Sequence, residues 1–221
     1  AIGTAINTSP FYLDNIVPTL GKITGYPLTQ ADDLFDATEN LDGFVRVSSC
    51  LKACAVNLSK MCNDLRILAS GPKAGFGEIT LPAMQNGSSI MPGKVNPVIP
   101  EVLNQTCYQV IGNDLAVTLG VENGQFELNV MEPVMAYNIF NSMTMLTNVV
   151  HTFRTLCVEK VEADEKQCQK WLDNSVGIVT ALLPHVGYEN SSMLAKEAYA
   201  TGRPIRDLIL EKKLLTQEAM D

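Results

Sequence analysis

Residues 44–68, FVRVSSCLKACAVNLSKMCNDLRIL, decide the fold. Phe44, Val47, Leu51, Cys54, Leu58, Met61, Leu65 and Leu68 step by threes and fours, the spacing that lines one face of an α-helix. The periodic run extends back toward Ala31 and on to Ser70, which predicts a helix of about 30 residues and about 45 Å. A helix of that length outruns the core of one small domain. Its coiled-coil-like seam predicts a bundle that also packs between subunits. Cys54 falls on the seam and reads as a buried thiol acting as a small hydrophobe. Lys60, Asn63, Asp64 and Arg66 read as a solvated face or as interhelical pairs.

Beyond the helix, Gly71-Pro72-Lys73-Ala74-Gly75-Phe76-Gly77 breaks the pattern and opens a loop over 71–96. A connection this long is functional or disordered; it is expected to be functional here, with a mobile lid as the corollary. Its last part, Gly87-Ser88-Ser89-Ile90-Met91-Pro92-Gly93-Lys94-Val95-Asn96-Pro97, gathers two hydroxyls, an ammonium and a carboxamide. That is a kit for holding an anionic substrate. Gly87 and Gly93 can adopt φ > 0. Asn96-Pro97 reads as a helix start, Asn as N-cap and Pro at the first helical position, with the helix's positive end adding to the charge of Lys94. By residue type alone such a run is more often a plain connector between helices.

Next come a helix over 97–120, with Val98, Val102, Cys107, Val110, Ile111, Leu115 and Val117 inward and Pro100 in its first turn. A third helix is expected over 128–158, with Pro133 as a kink near its start and Met131, Met135, Met143 and Met145 as core filler. The acidic stretch 159–164 reads as a hinge. Shorter helices follow at 165–183, 193–200 and 204–212, with turns at 183–185 and 201–204. Before the long helix, residues 1–10 read as a loop and 11–24 as a helix interrupted by Pro18 and ended by Gly25. No segment has a strand period. The expected fold is all-α: a long-helix bundle in 1–158, carrying the loop 71–96, and a small helical C-terminal domain in 159–221.

The chain has 221 residues, 46% hydrophobic and 18% charged, a balance suited to burying helix faces in a core and in a subunit interface. A net charge of −8 argues against nucleic acid or an anionic membrane as partner. An anionic substrate would need a local cationic pocket. The six cysteines (50, 54, 62, 107, 157 and 168) form no C-x-x-C pair and read as buried, reduced thiols of a cytoplasmic protein. No run of about 18 apolar residues is present to span a membrane, and no signal peptide is recognisable. The chain opens in mid-phrase at Ala1-Ile2-Gly3-Thr4, as a fragment or a processed protein would.

The string G-S-S-I-M-P-G-K-V-N-P over 87–97 resembles the signature of the aspartase/fumarase superfamily, and the likeness runs through nearly all 221 residues. Asn96-Pro97-Val98-Ile99-Pro100-Glu101-Val102, Glu127-Leu128-Asn129-Val130-Met131-Glu132-Pro133, Gly3-Thr4-Ala5-Ile6-Asn7-Thr8 and Ser175-Val176-Gly177-Ile178-Val179-Thr180 resemble the aspartase branch. Leu183-Pro184-His185-Val186-Gly187-Tyr188 is nearer the fumarases. The resemblance implies anti elimination of ammonia from L-aspartate to give fumarate, without an organic cofactor. Fumarate hydratase and a catalytically dead helical scaffold are the other readings. It assigns the proton-abstracting role to Ser88, substrate contact to Ser89, and carboxylate binding to Lys94 and Asn96. Glu101 matches a glutamate that pairs with an active-site histidine in fumarase-like members; by position alone it is a carboxylate favourably placed at a helix N-terminus. His151 and His185 match no motif and read as structural or surface. Some members are activated by Mg²⁺, but no carboxylate cluster marks a metal site here.

The chemistry demands what the loop offers. Removing a proton next to a carboxylate piles a second negative charge onto that group as an aci-carboxylate. Fixed positive charge and hydrogen-bond donors must meet it. Serine is a poor base in water and serves only where backbone N–H groups and a nearby cation stabilise its alkoxide. Family members are longer homotetramers in which each active site draws on three subunits. The resemblance therefore implies that this chain is inactive by itself and self-associates or binds the segment it lacks.

Overall fold

The structure, a computed structural model, describes residues 3–219. Among these, 66% of residues are helical, in eight α-helices and three short 3-10 helices. The seam-bearing segment forms α3 (Asp42–Leu68), 27 residues long; α1 is Pro10–Thr24 and α2 is Asp36–Glu39. Helix α1 starts where the Ser9 hydroxyl accepts the Tyr12 N–H and ends at Gly25, whose φ of 74° suits glycine.

The face that α3 buries is not its apolar seam. Ser48, Ala55, Ser59 and Cys62 are buried, whereas Phe44, Val47, Met61 and Cys54 are exposed. The expected burial of Cys54 is therefore corrected, as is that of Cys50. Cys62, Cys107 and Cys157 are buried and Cys168 is intermediate, all as free thiols. The reason is polar. Small side chains on α3 let the helix α4 (Val98–Glu122) come close enough for hydrogen bonds between them. Ser48 Oγ donates to Asp114 Oδ1 at 2.8 Å, and Asn104 Nδ2 donates to the Ser59 carbonyl at 3.1 Å and to its hydroxyl at 2.9 Å. Buried polar groups demand such partners. Lys52 completes the set with an ion pair to buried Asp114. Lys60 and Asp64 pair one turn apart on α3 itself.

Helix α4 and helix α5 (Glu132–Leu156) run antiparallel, joined by residues 123–131. Val117, Met135 and Ile139 form their core together with Leu41, Asn113 Nδ2 donates to Ser142 Oγ at 3.0 Å, and Gly120 leaves room for the Met135 side chain. Asn129 ties the turn: its amide donates to the Gly120 carbonyl at 3.0 Å and its oxygen accepts the Met131 N–H at 2.9 Å. Val102, Ile111 and Leu115, expected inward, lie exposed on α4, because this helix is apolar on more than the side that meets α5. Pro133 sits in the first turn of α5 and has no ladder bond to break.

The chain divides into two compact units, Ala1–Asp64 with Ala83–Glu159, and Leu65–Pro82 with Lys160–Asp221. In the second, β1 (Ile79–Thr80) pairs antiparallel with β2 (Glu162–Ala163), strands too short to show an alternating pattern. Asp164 caps α6 (Glu165–Asp173) by accepting the Gln167 N–H at 2.9 Å. The Trp171 indole donates to the Phe76 carbonyl at 2.8 Å, with the two rings 6.1 Å apart. These links group residues 65–82 with the second unit, although 71–82 adjoin the bundle segment in sequence. Leu194 and Ala198 of α7 (Val179–Thr201) pack on Ile205, Leu208 and Ile209 of α8 (Ile205–Glu211). The helix expected over 165–183 ends at Asp173. The turn expected at 183–185 is helical instead, and the break falls at Gly187 (φ 79°, ψ 167°), a conformation few other residues tolerate. Among the described residues no helix is long and apolar enough to cross a membrane.

Candidate active site

Residues 83–96 of the first unit approach α4 as an irregular loop, and hydrogen bonds of its own order it. Met91-Pro92-Gly93-Lys94 makes a turn in which the Lys94 N–H donates to the Met91 carbonyl at 3.2 Å. Pro92 fits the second position, and Gly93 takes the φ of 80° that a type II turn requires at the third. Gly87 is needed for a different reason than expected. Its φ is not positive; instead, a β-carbon there would overlap the Lys94 carbonyl and come within 3.1 Å of the Val95 nitrogen.

Ser88 lies at the centre of this arrangement, half-buried. Its Oγ accepts the backbone N–H of Ile90 and that of Met91, each at 3.1 Å. Two convergent N–H donors favour the charged form of an oxygen, as an oxyanion hole does. Ser70, by contrast, donates its own hydroxyl proton to the Ile67 carbonyl at 2.5 Å while accepting the Phe76 N–H, which commits it to holding the fold.

Ser88, Ser89 and Lys94 line one cavity of about 420 Å³. Lys94 is exposed at its rim. Gln85 and Asn86 line the same cavity with two carboxamides; their only signal in the sequence was polarity directly ahead of Gly87. Asn96 does not line it. The expectation that Asn96 caps the helix is corrected: Pro97 occupies the N-cap position without a side-chain bond, and Asn96 Nδ2 donates to the Gly87 carbonyl at 2.8 Å. The amide reaches back across the loop because Gly87 lies against the backbone of 94–95. Glu101 sits in the first turn of α4, outside the cavity lining. His151 lines an apolar groove of about 450 Å³ with Cys54 and Leu51, and His185 is exposed on α7.

A pocket with a donor-supported hydroxyl, an ammonium and several amides can bind a carboxylate and stabilise charge that develops beside it. Comparison with known proteins points the same way. The family described as Lyase matches residues 1–112, and the one described as Fumarase C C-terminus matches 178–221. An aspartate ammonia-lyase of Helicobacter pylori is 56% identical over 221 residues, covering 100% of this chain and 47% of the relative. One from Bacillus subtilis is 49% identical, covering 100% and 46%. The chain thus spans about half the length of the curated relatives it matches. Among solved structures, a fumarate lyase:delta crystallin from Brucella melitensis, bound to cobalt, superposes with a TM-score of 0.92 at 46% identity, over 99% of this chain and 47% of that one. A class II fumarase from Schistosoma mansoni gives 0.88 at 33% identity, over 100% and 49%. With a match over more than half its length and helices arranged as in these enzymes, the chain belongs to the aspartase/fumarase superfamily of lyases.

Proposed function

We propose that this chain carries the serine loop of an aspartate ammonia-lyase, which eliminates ammonia from L-aspartate to give fumarate. The observation that carries the reading is the Ser88 oxygen, held by two backbone N–H groups in a cavity it shares with Lys94. Ser88, as alkoxide, takes a proton from the substrate carbon next to one carboxylate. The C–H electron pair moves into that carboxylate, giving an aci-carboxylate. Its return forms the carbon–carbon double bond and expels ammonia from the neighbouring carbon. Lys94, Ser89 and the free hydrogen of the Asn96 amide bind the carboxylates, and Glu101 serves as a relay where a histidine from elsewhere in the assembly meets it.

The aspartase choice over fumarate hydratase rests on relatives named aspartate ammonia-lyase at 49–56% identity along the whole chain, against 33% for the fumarase structure. The assembly in this reading is a homotetramer working in the cytoplasm. Its support is the apolar surface on the long helices, including Leu115, Tyr137 and Phe140, each at least 60% exposed, which is costly to leave in water. Along the chain, the bundle gives way to the C-terminal domain near residue 159, with residues 65–82 grouped with the latter.

The test follows fumarate by its ultraviolet absorbance and ammonia by titration, with L-aspartate as substrate. The chain by itself is expected to be silent. Co-expressed with the part of a relative that it does not match, it is expected to turn over. Hydration of fumarate without ammonia chemistry would install the hydratase reading, and silence in a correctly assembled tetramer would leave a scaffold.

A further inference from the structure

The two ends of the signature loop are fastened to each other. Asn96 lies nine positions beyond Gly87, yet its amide donates to the Gly87 carbonyl at 2.8 Å in a half-buried setting. The α-carbon of Gly87 lies so close to the Lys94 carbonyl that no β-carbon fits between them. Inside this closure sit Ser88 and the Ile90 and Met91 N–H groups that point at its oxygen. Those donors belong to a stretch whose side chains give it no anchor: Ile90 is 87% exposed and Met91 53%. With little side-chain packing to hold the segment, its shape rests on backbone contacts: the Met91–Lys94 turn, the crossing at Gly87 and the Asn96 bond.

We infer that Gly87 and Asn96 are a clasp, a pair of positioning residues that aim the Ile90 and Met91 amides at the Ser88 oxygen. This rests on the proposed role of Ser88 as base, while the clasp itself is a statement about the loop. An Asn amide has two hydrogens and one oxygen, so closing the loop uses one donor and leaves the rest for a substrate. Asn96 is thus bound to the loop before any substrate arrives. Gly87 has no side chain to offer a ligand, and its effect on catalysis can come only through the path of the backbone.

Two variants of the 221-residue chain test this, N96D and G87A, with I90A as a control whose side chain lies in water. N96D keeps the shape of Asn96 and removes the donor. G87A puts a methyl where the Lys94 carbonyl stands. Amide hydrogen exchange in peptides spanning 86–95, read by mass spectrometry, is expected to speed up about tenfold in N96D and G87A, the worth of one net hydrogen bond. I90A should leave it unchanged, and the exchange of α4 and α5 should be unaltered in all three. Exchange at the wild-type rate in both variants overturns the clasp; N96D decides alone should G87A fail to fold. This reading needs no activity, so it stands or falls apart from the proposed function. In the assembled enzyme, G87A is expected to lower kcat at least tenfold with KM for L-aspartate changed less than threefold. A fall confined to KM, or full activity with a loosened loop, overturns the positioning role.

Discussion

Ser88 Oγ accepts the backbone N–H of Met91 at 3.1 Å, three residues farther along the same loop. The bond turns a loop hydroxyl into the best-supported oxygen of its cavity, since the Ile90 N–H reaches it at the same distance. Replacing Ser88 with Ala in the assembled enzyme is therefore expected to lower kcat about 10²–10⁴-fold, the usual contribution of a positioned base. Thermal stability and oligomer size should stay as they are, because the side chain anchors no core. Steady-state kinetics beside a melting curve checks both. A rate within a few-fold of wild type would mean that another group takes the proton.

Lys52 and Asp114 differ in exposure, with side chains 42% and 5% accessible. Removing the lysine strands a buried carboxylate on the single hydroxyl of Ser48. Removing both charges strands nothing comparable. Lys52→Met is expected to destabilise the chain by about 1–3 kcal/mol, and the double variant with Asp114→Leu to recover part of that loss. Urea titrations followed by circular dichroism give the comparison; a double variant no more stable than Lys52→Met would contradict the account.

Burial pushes the Cys107 thiol up, helped by nearby Cys54 and opposed by a backbone hydrogen bond from Ser59, and burial does the same for Cys157. Both are thus shielded and poorly ionised, whereas Cys50 and Cys54 face solvent. A thiol-directed reagent at neutral pH should label Cys50 and Cys54 in dilute native chain, and should reach Cys62, Cys107 and Cys157 only on unfolding. Peptide mapping of the labelled sites is the readout. Early modification of Cys107 would mean that the α3–α4 contact opens readily.

The Arg203 guanidinium donates to Glu211 at 2.6 Å and, with its charge, holds that carboxyl below the usual range. A lowered folded-state value stabilises the fold above the ordinary carboxylate pKa of about 4.3. That contribution disappears as pH falls through the folded value. Glu211→Gln should therefore lose less melting temperature than wild type between pH 7 and pH 3. Parallel melts at the two pH values check the sign, and an equal loss in both proteins would remove the pair from the acid response.

The segments that could be read from the sequence are those whose physics is local. Helix α3 follows from spacings of three and four between Phe44 and Leu68, and α1 from Ser9 ahead of Pro10 and Gly25 behind Thr24. The loop could be singled out because hydroxyls, an ammonium and glycines cluster within eleven residues. Asn96 misled because Asn-Pro is a good local helix start; a partner nine residues back outcompeted the cap. Cys54 misled within this chain because periodicity says that a helix has an apolar face, not which neighbour reaches it first.

The order of the long helices α3, α4 and α5, the all-α class and the membership of Ser88, Ser89 and Lys94 in one loop were thus determined by the sequence alone, since backbone hydrogen bonding and side-chain spacing act within a few residues. The tertiary structure decided the rest. It turned Ser48 and Ser59 inward, left Cys54 outside this chain's core and closed Gly87 onto Lys94. Each depends on which distant groups come within hydrogen-bond or van der Waals reach, and no spacing along the chain encodes that distance.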